Sequence, residues 1–197
     1  MDVIEAVTGR RSVGRLVEPA PGDGELLGLL ERAMTAPDHG MLRPWRLVLV
    51  RGDARHALAP AFADTVDGTA EERARAAGKP LRAPLLVSIV FTPKPSPKVP
   101  EWEQLAATSA MIHTLGLLLH AQGWASIWRT GRVVESGSVR AALALEPAER
   151  LLGWLYVGTP DPAQRCAPRA AAAPEAYVSL LRSVGRVDPL VPLAGRR

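Results

Sequence analysis

The chain has 197 residues, 47% of them hydrophobic and 22% charged, with a net charge of +4. That length can bury a full core, and the composition excludes a disordered chain. The basic balance favours anionic partners but falls short of the stripes of a dedicated nucleic-acid binder, so no nucleic-acid partner is expected. A lone cysteine, Cys166, excludes an internal disulfide and any multi-cysteine zinc site. No basic segment followed by an apolar run opens the chain, and a cytoplasmic protein is the expectation. The longest apolar run, Ala106 to Ala121, carries Thr108, Ser109, His113, Thr114 and His120 and is too short to span a bilayer, so no membrane partner is expected.

In chain order, Val3, Ile4, Ala6 and Val7 give a short apolar-periodic segment before Gly9-Arg10-Arg11-Ser12-Val13-Gly14-Arg15, a dense group of anion donors. The alternative for the arginines is a solvated helix end closed by a glycine. Asp23 is the predicted N-cap of a helix whose apolar face is Leu26, Leu27, Leu29, Leu30 and Ala33, ending at Pro37. Two prolines and a glycine make 35–45 an ordered loop. A strand is predicted over 46–51, two helical stretches over 54–78, and a strand covered on both faces over 85–91.

Four prolines between Thr92 and Pro100 make a loop that leads into a long apolar helix ending at Gly123. A short strand from Trp124 then runs into Arg129-Thr130-Gly131, a modest helix covers 139–145, and a last strand covers 151–158. The remainder, rich in proline and alanine, reads as an irregular arm from about residue 160. The whole reads as one domain, 1–197, of α+β class, with a small central, mostly antiparallel sheet flanked by helices.

Chemistry-bearing motifs are few. His39, His56, His113 and His120 lack metal-ligand spacing, so no metal site is expected. No nucleophile elbow, Rossmann fingerprint or P-loop is present. Three donor-rich loops remain: Arg10 to Arg15, Thr35 to Arg43, and Trp128 to Arg132. Loops that bind but carry no acid–base pair suit either a binding module or an enzyme whose cofactor does the chemistry.

Six elements in one order carry a resemblance: Arg10-Arg11-Ser12; Ala36-Pro37-Asp38-His39 with Arg43-Pro44-Trp45; Arg82-Ala83-Pro84; Lys98 to Gln104; Trp128-Arg129-Thr130-Gly131; and Gly158-Thr159-Pro160. Over residues 10 to 160 the chain resembles the FMN-dependent nitroreductase family, specifically its short bacterial branch. The resemblance implies a nitroreductase-like fold in an intertwined homodimer with two flavins at the interface. It implies that Arg10, Arg11 and Ser12 hold the ribityl phosphate end, and that Trp128, Arg129 and Thr130 flank the cofactor. Thr35 and His39 would come from the partner.

The implied reaction is ping-pong: NADH or NADPH reduces FMN, and a small-molecule acceptor such as a nitroaromatic or quinone reoxidises it, so no protein residue is the catalyst. Asp38 agrees with the short branch, whereas Met41 and Arg43 stand where the wider family usually has asparagine and glutamine. These two are the expected substrate-pocket residues. Arg43 either raises the flavin potential from the pyrimidine edge or turns to solvent or a partner carboxylate. Other readings are a flavoenzyme of another reaction type and a non-enzymatic module for a phosphorylated ligand. Arg165 and Arg169 receive no role.

Overall fold

The structure, a computed structural model, describes residues 1–164 and 170–189. Arg165, Cys166 and Arg169 lie outside the described residues. The chain divides into two units, Met1–Arg165 and Cys166–Arg197.

In chain order the first unit contains α1 (Val3–Gly9), β1 (Leu16–Val17), α2 (Asp23–Ala33), β2 (Trp45–Arg51), α3 (Asp53–Ala63), α4 (Ala70–Ala77), β3 (Leu85–Phe91), α5 (Glu101–Ala121), β4 (Ala125–Arg129), α6 (Gly137–Ala142) and β5 (Arg150–Pro160). The N-cap of α2 is Gly22, not Asp23, which opens the first turn and pairs with Arg51 at 3.1 Å. There its carboxylate still meets the positive end of the helix. In the second unit, β6 (Ser179–Ser183) and β7 (Arg186–Pro189) form an antiparallel hairpin turning at Gly185, φ +77°. Composition alone reads this stretch as irregular, because its short strands are set by pairing with each other.

β5 is the axis of the sheet. Along one edge it pairs with β3, which pairs with β2; along the other it pairs first with β4 and then with β1. All these pairings are antiparallel, in agreement with the α+β reading. Every residue of β3 is buried, because helices cover both faces. Leu85, Val87, Ile89, Leu155 and Val157 meet Leu26, Leu30, Met111, Leu115 and Leu119 of α2 and α5. On the opposite face Leu86, Val90, Trp154 and Tyr156 meet Leu58 and Phe62 of α3 and Val139 of α6. Strand alternation assigns successive residues to these two cores.

Two polar knots hold the ends. Gln104, at the start of α5, accepts from Lys94 N at 2.8 Å and donates to the carbonyls of Lys94 and Val99 at 2.8 and 3.1 Å, ordering the proline-rich loop. Buried Glu149 takes a two-pronged bond from Arg46, at 2.9 and 2.6 Å, and a third from Glu146 N at 3.0 Å. The Arg46 hydrogen bond holds the Glu149 carboxyl below the usual carboxylate range, against burial, which raises it. The folded-state pKa is therefore the lower one, and this pair's stabilisation is present above about pH 4.5 and lost as pH falls through the folded value. Glu149→Gln is expected to cost about 1–2 kcal/mol at pH 7, less than a fully buried pair because Arg46 is about a third exposed, and the deficit should shrink below pH 4. Urea titrations at pH 7 and pH 3.5 check this.

Candidate active site

An Asp2–Glu5 capping box starts α1, and Gly9 ends it. The Arg11 guanidinium turns back onto this end and donates to the carbonyls of Thr8, Gly9 and Arg10 at 2.6, 3.1 and 3.1 Å. Arg11 thus satisfies carbonyls that the helix leaves open. The next residues run along β4, where Val13 N donates to Ser126 O at 3.1 Å and Ser12 bridges Ser126 in parallel. This pinning brings Arg10 and Ser12 beside the strand.

There Arg10, Ser12, His113 and Gly116, with Ser126 and Trp128, line a cavity of about 140 Å³ that no carboxylate lines. The stem of Arg10 lies against α5 at Gly116. Trp128 is fixed by its indole N–H, which donates to Leu152 O at 3.0 Å. Nearby His120 lies below the usual imidazole range, first through burial and then through the charges of Arg10 and Arg11. The shift favours its neutral form at pH 7.

Arg129 does not join this cavity. Along β4, Ser126 lines the Arg10 cavity, whereas Ile127 and Trp128 border both that cavity and a second one. The Arg129 guanidinium lies 5.6 Å from the centre of the Tyr156 ring and, with Thr130, lines a second cavity of about 390 Å³. Lys79, Arg82, Phe62, Trp154 and Tyr156 complete its walls. Sequence reasoning missed Lys79 and Tyr156 as cavity residues and used Arg82 only as a family marker, since they meet only through tertiary packing.

The remaining candidates form a third group. Thr35 Oγ1 donates to Arg32 O at 2.8 Å at the end of α2, and His39 Nδ1 lies 2.8 Å from Glu103 Oε2 in the first turn of α5. Asp38 organises the loop by accepting from Arg43 N at 2.7 Å. Gly40, Met41 and Arg43 have φ of +76°, +50° and +46°, a strained run for side-chain-bearing residues. Met41 is 81% exposed, and the guanidinium of Arg43 has no partner among the described residues. Glu103 and His113 are about 15 Å apart along the helix axis at 1.5 Å per residue. Within one chain, the loop bearing His39 therefore stands away from the Arg10 cavity, and none of Thr35, His39, Met41 and Arg43 lines it.

Among the described residues, no group of three or more His, Cys, Asp or Glu side chains could hold a metal ion, and no helix is long and apolar enough to cross a membrane.

With this geometry in hand, comparison with known proteins is specific. The chain is 36% identical over 166 residues to "Putative NAD(P)H nitroreductase YdjA" of Escherichia coli K12, covering 82% of this chain and 90% of that one. Among solved structures, a nitroreductase-like family protein from Bacillus cereus superposes with a TM-score of 0.80 at 24% identity, covering 93% and 97% of the two chains. The FMN-dependent nitroreductase NfnB from Mycobacterium smegmatis, solved with NADPH, gives 0.64 at 20% identity, covering 80% and 87%. The two structural likenesses carry the fold. A profile described as the nitroreductase family matches residues 7–159, and with a relative of this identity and coverage, the chain belongs to that family.

Proposed function

We propose that this chain is an FMN-dependent NAD(P)H oxidoreductase of nitroreductase type, working as a homodimer on a small-molecule acceptor such as a nitroaromatic or quinone. The observation that carries the reading is the convergence of Arg10, Ser12 and Trp128 on a cavity that no carboxylate lines. This donor set fits the phosphate end of a flavin mononucleotide: the guanidinium fork and the hydroxyl match phosphate oxygens. FMN, when bound, supplies the redox chemistry between NAD(P)H and the acceptor.

The chain's own residues bind and orient. Arg10 and Ser12 hold the anionic end, and Arg11 acts at one remove by fixing the helix end from which Arg10 projects. Trp128 forms a wall in a fixed orientation. Arg129 and Thr130 flank the site from the end of β4, with the Arg129 guanidinium on the far side. A second copy would bring Thr35, His39, Met41 and Arg43 to the site. Val3, Ile4 and Val7 on α1 and Trp102 on α5 are exposed apolar residues that support such an interface.

Purified protein should be yellow, should release FMN on denaturation, and should elute as a dimer. NADH or NADPH should bleach the colour, and a quinone or nitroaromatic should restore it. A chain that stays colourless after incubation with FMN sinks the proposal, and flavin that neither nicotinamide bleaches sinks its NAD(P)H part.

A further inference from the structure

His39 and Glu103 pair at 2.8 Å, joining the loop after α2 to the first turn of α5. Stability does not account for the contact. The His39 side chain is 61% exposed and that of Glu103 29%, and pairs so open to water add little to a fold. Yet both ends are held in place. Glu103 leads directly into Gln104, whose three hydrogen bonds fix the start of α5. On the loop side, Asp38 accepts from Arg43 N at 2.7 Å, and Gly40 packs against Val99 just before the helix. The pair therefore joins two anchored backbones.

We infer that Glu103 is a positioning residue that fixes the tautomer of His39, so that the ring presents Nε2 as a hydrogen-bond acceptor to the flavin of the partner protomer. The inference rests on the functional reading above, in which His39 reaches a flavin across the interface. A neutral imidazole carries hydrogen on one nitrogen and accepts at the other. A carboxylate only accepts, so Glu103 draws that hydrogen to Nδ1 and leaves Nε2 bare. A bare nitrogen repels phosphate oxygens but takes a hydrogen bond from a flavin hydroxyl or ring N–H. His39 thus serves a different part of the flavin from Arg10 and Ser12, which hold the anionic end.

The test uses the full-length chain, stripped of flavin and titrated with FMN and with riboflavin, which lacks the phosphate. Glu103→Ala should weaken binding of both about fivefold, the order expected for one lost hydrogen bond. Glu103→Gln should stay within about twofold of the parent, since its amide oxygen still accepts from Nδ1–H. In a His39→Ala background, Glu103→Ala should change neither affinity, because it acts only through the ring. Nitrogen-resolved NMR of the imidazoles at pH 8 should find the His39 hydrogen on Nδ1 in the parent and on Nε2 in Glu103→Ala.

A parent ring with hydrogen on Nε2, flavin binding unchanged in Glu103→Ala, or a further loss in the His39→Ala background overturns the inference. So does Glu103→Gln as weak as Glu103→Ala. A loss confined to FMN moves the contact to the phosphate and overturns the acceptor role. A parent chain that binds neither flavin overturns the functional reading itself, and the inference falls with it.

Discussion

Gly153→Ala is expected to lower the melting temperature by about 10 °C, which corresponds to about 4 kcal/mol in a chain of this size. Gly153 lies in β5 with φ +114°, a region closed to residues with a Cβ, next to the irregularity where β3 shifts register. An added Cβ would sit well under 3.0 Å from the Arg129 carbonyl oxygen and 3.1 Å from both the Arg129 carbonyl carbon and Thr130 Cγ2. Backbone strain accounts for about 1–3 kcal/mol and the collision for the rest. β4 would have to move away, taking Trp128, Arg129 and Thr130 with it. Gly131→Ala separates the two contributions, because its φ is +122° but nothing lies within 4 Å of its added Cβ. It should lose only the strain part. Equal losses in the two variants would rule out the collision.

Arg10→Ala is expected to weaken flavin retention about 10- to 100-fold, the 1.5–3 kcal/mol of a hydrogen bond to a charged group, with the dimer intact and the melting temperature of the flavin-free chain little changed. Arg11→Ala should do the reverse: lose about 1 kcal/mol of stability by uncovering the carbonyls at the end of α1, and change flavin affinity only a few-fold. His120 gives a second readout. Arg10 is one cause of its lowered pKa, so an NMR titration of flavin-free Arg10→Ala should find the imidazole titrating higher than in the parent chain. Flavin that remains tightly bound in Arg10→Ala would remove this arginine from the phosphate site.

Much of the fold was legible in the sequence. The strands at 46–51, 85–91 and 151–158 and the helix from residue 101 announce themselves through local period and flanking glycine and proline. β1 is only Leu16–Val17 and exists because β5 lies beside it, so no local signal marks it. At the site, a run of neighbours such as Arg10-Arg11-Ser12 or Trp128-Arg129-Thr130 reads as a unit, yet geometry divides each. Arg11 turns to the helix end, and of Trp128 and Arg129 only Trp128 also lines the Arg10 cavity. The Arg46–Glu149 pair and the Lys79, Arg82 and Arg129 group join residues far apart in the chain, and such encounters are fixed by packing alone.

The pairing of Leu16 with Pro160 also orders events in time. The segment bearing Arg10 and Ser12 is made early, but its anchors, Ser126 on β4 and the far end of β5, leave the ribosome more than a hundred residues later. Closing so long a loop costs chain entropy that only the finished sheet can offset. A growing chain therefore cannot assemble the anion cradle before β5 is complete, and cofactor capture would certify that synthesis has passed residue 160.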